Sequence, residues 1–253
     1  MKIPQVEGDY DTYQDKYPNE AFIEARGVQH HISYEEPAGD IKGLLFIMHG
    51  MDGHSGPSAY FARQVVRKNS MVAVGLDFRN FGLTKTNEKR GYIEDVHVLL
   101  ADAEAVLTQL VEKYKVRQIF LAGLSMGGAI AFRMAINNKF PYADLIMFAP
   151  SIRQHPEASP VMKKIAKFIG WLVPTLELSN KGGSSFCLKH KKCRFEDDPL
   201  NYTGKIIPGS VRAVLNFIDE CETMFAQLST PYLMFMGGVE KVVDPFLAVD
   251  LDR

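Results

Sequence analysis

The sequence predicts an α/β fold with a mostly parallel sheet and helices on both faces of that sheet. Short, continuously apolar runs alternate with segments that repeat apolar residues at helical spacing, which indicates β-α-β units. Strands without polar alternation are typical of a sheet that is covered on both faces. The apolar runs cover residues 43–48, 71–76, 117–123 and 143–150, and the helical segments cover 57–69, 93–114 and 125–139.

The sheet is predicted to have further strands before and after this central unit. Residues 21–25 and 28–37 flank a glycine and predict an antiparallel hairpin at the sheet edge. A helix over about 208–228 and a strand over 231–237 continue the pattern later in the chain. The predicted divisions are a polar lead over 1–20, a core over 21–150, a cap over 151–207 and an incomplete core segment over 208–253.

The predicted cap, residues 151–207, breaks the alternation with Pro156, Pro160 and Pro174, a KGGSS turn and a basic KHKKCR segment. One helix in it is amphipathic. Its apolar positions are Val161, Ile165, Phe168, Ile169 and Leu172, and its nearby basic positions are Lys163, Lys164 and Lys167. Such a helix can lie on a membrane, roof an acyl-chain pocket, or pack as a lid with solvated lysines, and the sequence leaves these alternatives open.

Composition excludes several classes of protein. Hydrophobic residues make up 46% of the 253-residue chain and charged residues 23%, which is ordinary for a globular domain. The net charge of −1 gives no general attraction for nucleic acid. Three cysteines without CxxC spacing predict neither a disulfide framework nor a zinc site. No secretory signal or membrane-spanning run is found in the sequence, so we expect a cytoplasmic location, with peripheral membrane contact as the alternative.

The chemistry is concentrated at GLSMG, a GxSxG motif between an apolar run and a helix start. This setting is typical of a nucleophile elbow, so Ser125 is the predicted nucleophile. Acyl transfer also needs donors for an oxyanion, and the N–H groups of Met126 and Met51 are the candidates. His49 is a weaker candidate for the general base, because a histidine at this position more often supports the backbone. Among the acids after the last strand, Glu240 is preferred as the acid that orients a histidine, with Asp244 in reserve.

Six segments together resemble the monoacylglycerol lipase family of α/β-hydrolases, which are related to lysophospholipases. They are HGMDGHSG, DFRNFG, GLSMGG, FAPSI, DDPLNYTGKI and TPYLMFMGGVEKVVD, in this order from residue 49 to residue 244. The resemblance implies an α/β-hydrolase fold with an inserted cap and assigns the same roles to Ser125, Met51 and Met126. It matches Glu240 to the family's aspartate. It further implies a lipid ester substrate, most simply monoacylglycerol or lysophospholipid, and no metal or organic cofactor.

The sequence departs from this family at its end. Family members place the catalytic histidine after the acid, beyond further helices and a final strand, and the order Ser, acid, His is general for the fold. All seven histidines here precede Glu240, so the triad histidine is absent from this sequence. We expect a C-terminally truncated chain that lacks the last strand and helix. The alternatives are a noncatalytic relative that binds a lipid or a partner, a substitute histidine, and an esterase or acyltransferase acting on soluble acyl esters.

Overall fold

The structure is a computed structural model that describes residues 16–178, 198–238, 240 and 242–247. Within these residues its sheet is formed by β1 (Asn19–Ala25), β2 (Val28–Glu35), β3 (Gly43–Met48), β4 (Met71–Leu76), β5 (Gln118–Leu124), β6 (Tyr142–Phe148) and β7 (Tyr232–Phe235). The helices are α1 (Ala59–Asn69), α2 (Val96–Tyr114), α3 (Met126–Asn137), α4 (Pro160–Leu172) and α5 (Pro208–Met224). None of the helices in the described part of the chain combines the length and apolar character needed to span a bilayer.

The strands form one sheet in the order β1-β2-β4-β3-β5-β6-β7. The hairpin of β1 and β2 is antiparallel, β2 joins β4 antiparallel, and all the pairs from β4 to β7 are parallel. Strand β3 lies between β4 and β5, and all six of its residues are buried. This confirms the mostly parallel sheet and the edge hairpin.

Alternate residues of β3 enter two separate cores. Leu45 and Ile47 pack with α1 on one face of the sheet, whereas Leu44 and Phe46 pack with α2, α3 and α5 on the other. Successive side chains of a strand point to opposite faces, so a run without polar residues can bury both. The continuous apolar character of β3 therefore follows from helices on both faces, as the sequence predicts.

The predicted boundaries hold to within a few residues, and local chemistry explains the differences. Helix α2 begins at Val96 rather than residue 93 because the Asp95 carboxylate caps it, accepting a hydrogen bond from the His97 N–H at 2.9 Å. The predicted strand over 231–237 is shorter, since β7 ends at Phe235. Strands β3 and β4 have the predicted bounds.

Helix α4 lies in the predicted cap and packs on α5 through its polar face. Lys163 and Lys167 both pair with Asp219 of α5, and Gly170 lies so close to α5 that an added Cβ would be 2.4 Å from Pro208 O. The KGGSS and KHKKCR segments fall outside the described residues. The division of the chain into lead, core and cap stays a prediction.

The opposite face of α4 is apolar and faces solvent. Its exposed large side chains are Val161, Met162, Ile165, Phe168, Trp171 and Leu172. A helix on a water-soluble domain normally buries its apolar stripe and exposes its charges. In α4, Lys163 and Lys167 lie on the packed side together with Gly170, and the large apolar side chains face solvent.

Candidate active site

Ser125 occupies the sharp turn between β5 and α3. Its backbone angles are φ 51° and ψ −117°, a conformation that few residues other than glycine adopt. The turn is held on both sides, since Ser125 N–H donates to Phe148 O at 2.9 Å and Ser125 O accepts from Ser151 N–H at 3.0 Å. The strained, half-buried serine has the conformation expected of a nucleophile elbow.

The glycines of the GxSxG motif permit this turn to approach its neighbours. A Cβ on Gly127 would lie 2.3 Å from Met48 O and 2.5 Å from His49 O, and a Cβ on Gly123 would lie 2.2 Å from Gly127 O. Real Cβ atoms do not come this close to backbone atoms. The two motif glycines are therefore a steric requirement of the elbow.

The strand register brings the predicted site to one edge of the sheet. Met48 pairs with Gly123, Leu124 pairs with Phe148, and Phe148 pairs with Phe235. The loops after β3, β5, β6 and β7 consequently leave the sheet at the same level. In open α/β sheets this carboxyl edge is where ligands bind.

His49 fixes the loop that carries one candidate oxyanion donor. Its Nε2 accepts a hydrogen bond from Phe78 N–H at 3.0 Å, so its Nδ1 carries the proton and donates to Gly50 O at 2.7 Å. Burial lowers the pKa of His49 to about 4, which keeps the ring neutral. With both ring nitrogens engaged by the backbone, His49 is a supporting residue and not a candidate for the general base.

The carbonyl that His49 holds also sets the direction of the Met51 N–H. Gly50 O accepts a second hydrogen bond from Gly53 N–H at 3.1 Å. In a trans peptide the carbonyl and the following N–H point in opposite directions, so fixing Gly50 O orients the Met51 N–H away from His49. Gly50 itself lies against the nucleophile, because its Cβ position is 3.3 Å from Ser125 Cβ.

Met126 supplies the other candidate donor as the first residue of α3. The first N–H groups of a helix have no acceptor within the helix and carry its positive dipole end. An anion that forms on a group bound at Ser125 would meet this helix terminus. The roles of Met51 and Met126 as oxyanion donors remain predictions that this geometry favours.

Asp77, which directly follows β4, binds the loop after β3. Its carboxylate accepts hydrogen bonds from Ser55 N–H at 2.7 Å and Leu83 N–H at 2.9 Å, and pairs with His31 Nδ1 at 2.8 Å. Burial alone would raise the pKa of Asp77, but the His31 hydrogen bond, the nearby His49 and the two N–H donors hold it far below its ordinary value. The charged Asp77 therefore ties the loops after β3 and β4 together.

The two candidate acids have different surroundings. Asp244 is buried, pairs with Arg153 Nε, accepts from Phe246 N–H at 2.8 Å, and donates its own N–H to Arg153 O at 3.2 Å. Glu240 is half-buried, and its Oε1 accepts from Val242 N–H at 2.9 Å. Because Asp244 maintains the loop's own structure, Glu240 is favoured as the acid that would orient a histidine. That assignment stays a prediction.

The described histidines are engaged away from the nucleophile. His31 binds Asp77, His54 binds Asp198 at 2.8 Å, and His97 binds Glu220 at 2.7 Å. His30 is buried beside Asp102, and burial lowers its pKa. His155 Nδ1 accepts from the backbone of residue 157, and residue 190 lies outside the described range. None of the described histidines forms a hydrogen bond with Ser125 Oγ.

Ser151 is a site residue that the sequence interpretation did not single out. Its hydroxyl lies 3.0 Å from Ser125 Oγ and its side chain is buried. The available signal was its place in FAPSI, directly after β6, since loops that follow neighbouring parallel strands meet at one edge. Among the described residues, no group of three or more His, Cys, Asp or Glu side chains is arranged to hold a metal ion.

Comparisons with known proteins agree with this fold. The Hydrolase_4 family, described as serine aminopeptidase S33, matches residues 39–251. Human monoglyceride lipase is 26% identical over 226 residues, covering 88% of this chain and 73% of the human one. Monoacylglycerol lipase of Mycolicibacterium smegmatis is 23% identical over 208 residues, covering 82% and 73%.

Solved structures show the same architecture. A soluble variant of Saccharomyces cerevisiae monoglyceride lipase, in complex with a substrate analog, superposes with a TM-score of 0.78 at 16% identity, covering 94% of this chain and 82% of that one. Paleococcus ferrophilus monoacylglycerol lipase gives a TM-score of 0.65 at 19% identity, covering 81% and 76%. The chain therefore belongs to the Hydrolase_4 family and is an α/β-hydrolase similar to monoacylglycerol lipases.

Proposed function

We propose that this chain is a serine hydrolase that cleaves esters of a long acyl chain and a small polar alcohol, with monoacylglycerol or lysophospholipid as the substrate class. The observation that carries the proposal is the strained Ser125 at the sheet edge, with Gly50 against its side chain and the N-terminus of α3 directly after it. Acyl transfer requires a nucleophile and oxyanion donors at one point. The likeness to monoglyceride lipases supports an ester over a peptide.

In the proposed reaction, Ser125 Oγ attacks the ester carbonyl carbon, and the carbonyl oxygen becomes an oxyanion between the N–H groups of Met51 and Met126. The tetrahedral intermediate expels the alcohol, which takes up the proton that Ser125 gave to the base, and an acyl-enzyme remains. Water then attacks the acyl carbon and gives its proton to the base. Collapse of the second intermediate releases the fatty acid and returns the proton to Ser125.

The base in this scheme is a histidine that Glu240 orients. Such a residue has to follow the acid in the order Ser, acid, His, and every histidine of this sequence precedes Glu240. Without a base, the hydroxyl of Ser125 is a poor nucleophile. Experiments on function therefore need both the 253-residue chain and any longer product of the same gene.

We further propose that the exposed apolar face of α4 contacts a lipid surface. Lys163 and Lys167 are turned toward Asp219 of α5, so the face left to the solvent carries Phe168, Trp171 and four other large apolar side chains, with Lys164 at its margin. A contiguous apolar surface of this kind marks an interaction site. A water-insoluble substrate located in a membrane or micelle is the partner whose chemistry matches it.

The first test is labelling with a fluorophosphonate probe, which reacts with activated serines. The 253-residue chain, the same chain with Ser125→Ala, and any longer gene product are compared. Labelling that disappears with Ser125→Ala supports the nucleophile, and labelling confined to a longer product indicates that the base lies in the additional sequence. No labelling of either product contradicts a hydrolase function and favours a lipid-binding or partner-binding relative.

Substrate class is then tested on the product that labels. Long-chain monoacylglycerol and lysophospholipid, a short-chain p-nitrophenyl ester and an aminoacyl p-nitroanilide are supplied at equal concentration. We expect the highest kcat/KM with a long-chain lipid ester. Preference for the short ester would favour a soluble esterase, and cleavage of the anilide would favour the aminopeptidase activity that the family description names.

A further inference from the structure

The proposed reaction does not account for the second hydroxyl at the nucleophile. Ser151 Oγ lies 3.0 Å from Ser125 Oγ, and the Ser151 side chain is 6% exposed. Buried hydroxyl groups are almost always hydrogen-bonded, and Ser125 Oγ is the partner that the structure gives to Ser151 Oγ. The pair joins residues that are 26 positions apart in sequence.

Three contacts restrain the backbone around Ser151. Ser151 N–H donates to Ser125 O at 3.0 Å, and Ala149 N–H donates to Phe235 O at 2.7 Å. Two residues further on, Arg153 pairs with the buried Asp244 and accepts its N–H. The segment over 149–153 is therefore bound to the nucleophile elbow, to β7 and to the acid loop, so the backbone that carries Ser151 has little freedom to move away from Ser125.

The direction of the hydrogen bond decides its effect. A hydroxyl donates one proton and accepts up to two hydrogen bonds. If Ser125 donated to Ser151, its proton would be held away from a base. If Ser151 donates, the Ser125 proton is left for the base, and the Ser151 donor interacts more strongly as Ser125 Oγ gains negative charge, since hydrogen bonds to charged groups are stronger than those between neutral groups.

We propose that Ser151 is a positioning residue that donates a hydrogen bond to Ser125 Oγ, holds the nucleophile beside the oxyanion loop and stabilises it as it loses its proton. This inference rests on the proposed serine hydrolase function. It assigns to Ser151 a role that neither the nucleophile motif nor the oxyanion loop supplies. Ser151 forms no bond with the substrate in this scheme, because it acts through Ser125.

A double-mutant cycle tests the pair without requiring activity. The unfolding equilibrium in urea is measured for the wild type, Ser125→Ala, Ser151→Ala and the double variant. A hydrogen bond between neutral hydroxyls predicts that the effects of the two substitutions on the unfolding constant differ from additivity by about threefold to tenfold. Additive effects would overturn the proposal, whatever the outcome for the proposed function.

The rate of fluorophosphonate labelling then tests positioning, on the shortest gene product that labels. Ser151→Ala should slow the second-order rate of labelling by about tenfold or more, because it removes a donor to a developing anion. Ser151→Cys, which keeps a weak S–H donor, should give an intermediate rate. Adding Ser125→Ala to the Cys variant must abolish labelling, which shows that the probe reports on Ser125.

Each outcome separates positioning from a space-filling role. Coupling in the cycle together with slower labelling, and partial rescue by cysteine, supports the proposal. Ser151→Ala labelling at the wild-type rate or faster would overturn it, because Ser151 would then be passive or would compete with the base. If no gene product labels, the hydrolase function is refuted and the positioning role falls with it, while the cycle still reports whether the two hydroxyls are bonded.

Discussion

The apolar face of α4 is predicted to contact lipid, and its contribution to vesicle binding can be estimated from the exposed fraction of its side chains. Phe168 is 59% exposed and Trp171 is 65% exposed, so replacing both with alanine removes apolar surface without opening a cavity. Full burial of such a side chain stabilises by about 1.5–3 kcal/mol, and scaling by the exposed fraction leaves about 1.3 kcal/mol for each residue. The double variant should therefore bind vesicles about 80-fold more weakly than the wild type.

Cosedimentation with phosphatidylcholine vesicles measures this difference. Zwitterionic lipid keeps net charge out of the comparison, and the wild type and the variant should have the same melting temperature because neither side chain is part of the core. Phe22→Ala is the matched control, since Phe22 is 56% exposed but lies on the edge strand β1. We expect Phe22→Ala to bind vesicles as the wild type does.

Two results would refute the reasoning. If the Phe168→Ala and Trp171→Ala double variant sediments with vesicles to the same extent as the wild type, the apolar face of α4 does not contact lipid. If Phe22→Ala weakens binding as much as the double variant, the protein associates with lipid through general surface hydrophobicity and not through this helix.

Three further predictions concern the site. Because the pKa of His49 falls from its ordinary 6.5 to about 4 on folding, protonation favours the unfolded chain, so the free energy of unfolding should drop by about 3 kcal/mol as the pH falls from 6.5 to 4. Urea unfolding measured across this pH range should show that His49→Asn lacks this component of the pH dependence. If the free energy of unfolding of the wild type and of the variant depended on pH in the same way, the prediction would be wrong. In the gene product that reacts with the probe, Glu240→Gln should abolish labelling and lower the free energy of unfolding by less than about 0.5 kcal/mol. Asp244→Asn should lower the free energy of unfolding by about 2 kcal/mol, because it breaks a partly buried ion pair. The reverse pattern would make Asp244 the triad acid. Gly127→Ala should destabilise by about 2 kcal/mol or prevent folding because its Cβ has no space, while Gly39→Ala, with nothing within 4 Å, should change the melting temperature little.

Much of the fold could be predicted because each signal is local. The runs that form β3 and β4 are continuously apolar, because a central strand that is buried on both faces has little room for polar side chains. The nucleophile elbow was equally predictable, since a serine between two close-packed glycines after a strand meets a steric demand set by its immediate neighbours. Two of the predicted helix starts differ from the structure because a single residue sets them: Asp95 caps α2, and the strained Ser125 precedes α3.

The sequence by itself determined the order of strands and helices, the place of Ser125 and the candidates around it, because periodicity and turn chemistry depend on residues a few positions apart. Only the tertiary structure decided that α4 turns its lysines to α5 and its apolar face to solvent, that Asp244 is held by Arg153, and that Ser151 meets Ser125. These are contacts between distant segments. They depend on which strands become neighbours in the sheet and on which face of a helix finds a partner, and no local pattern specifies either.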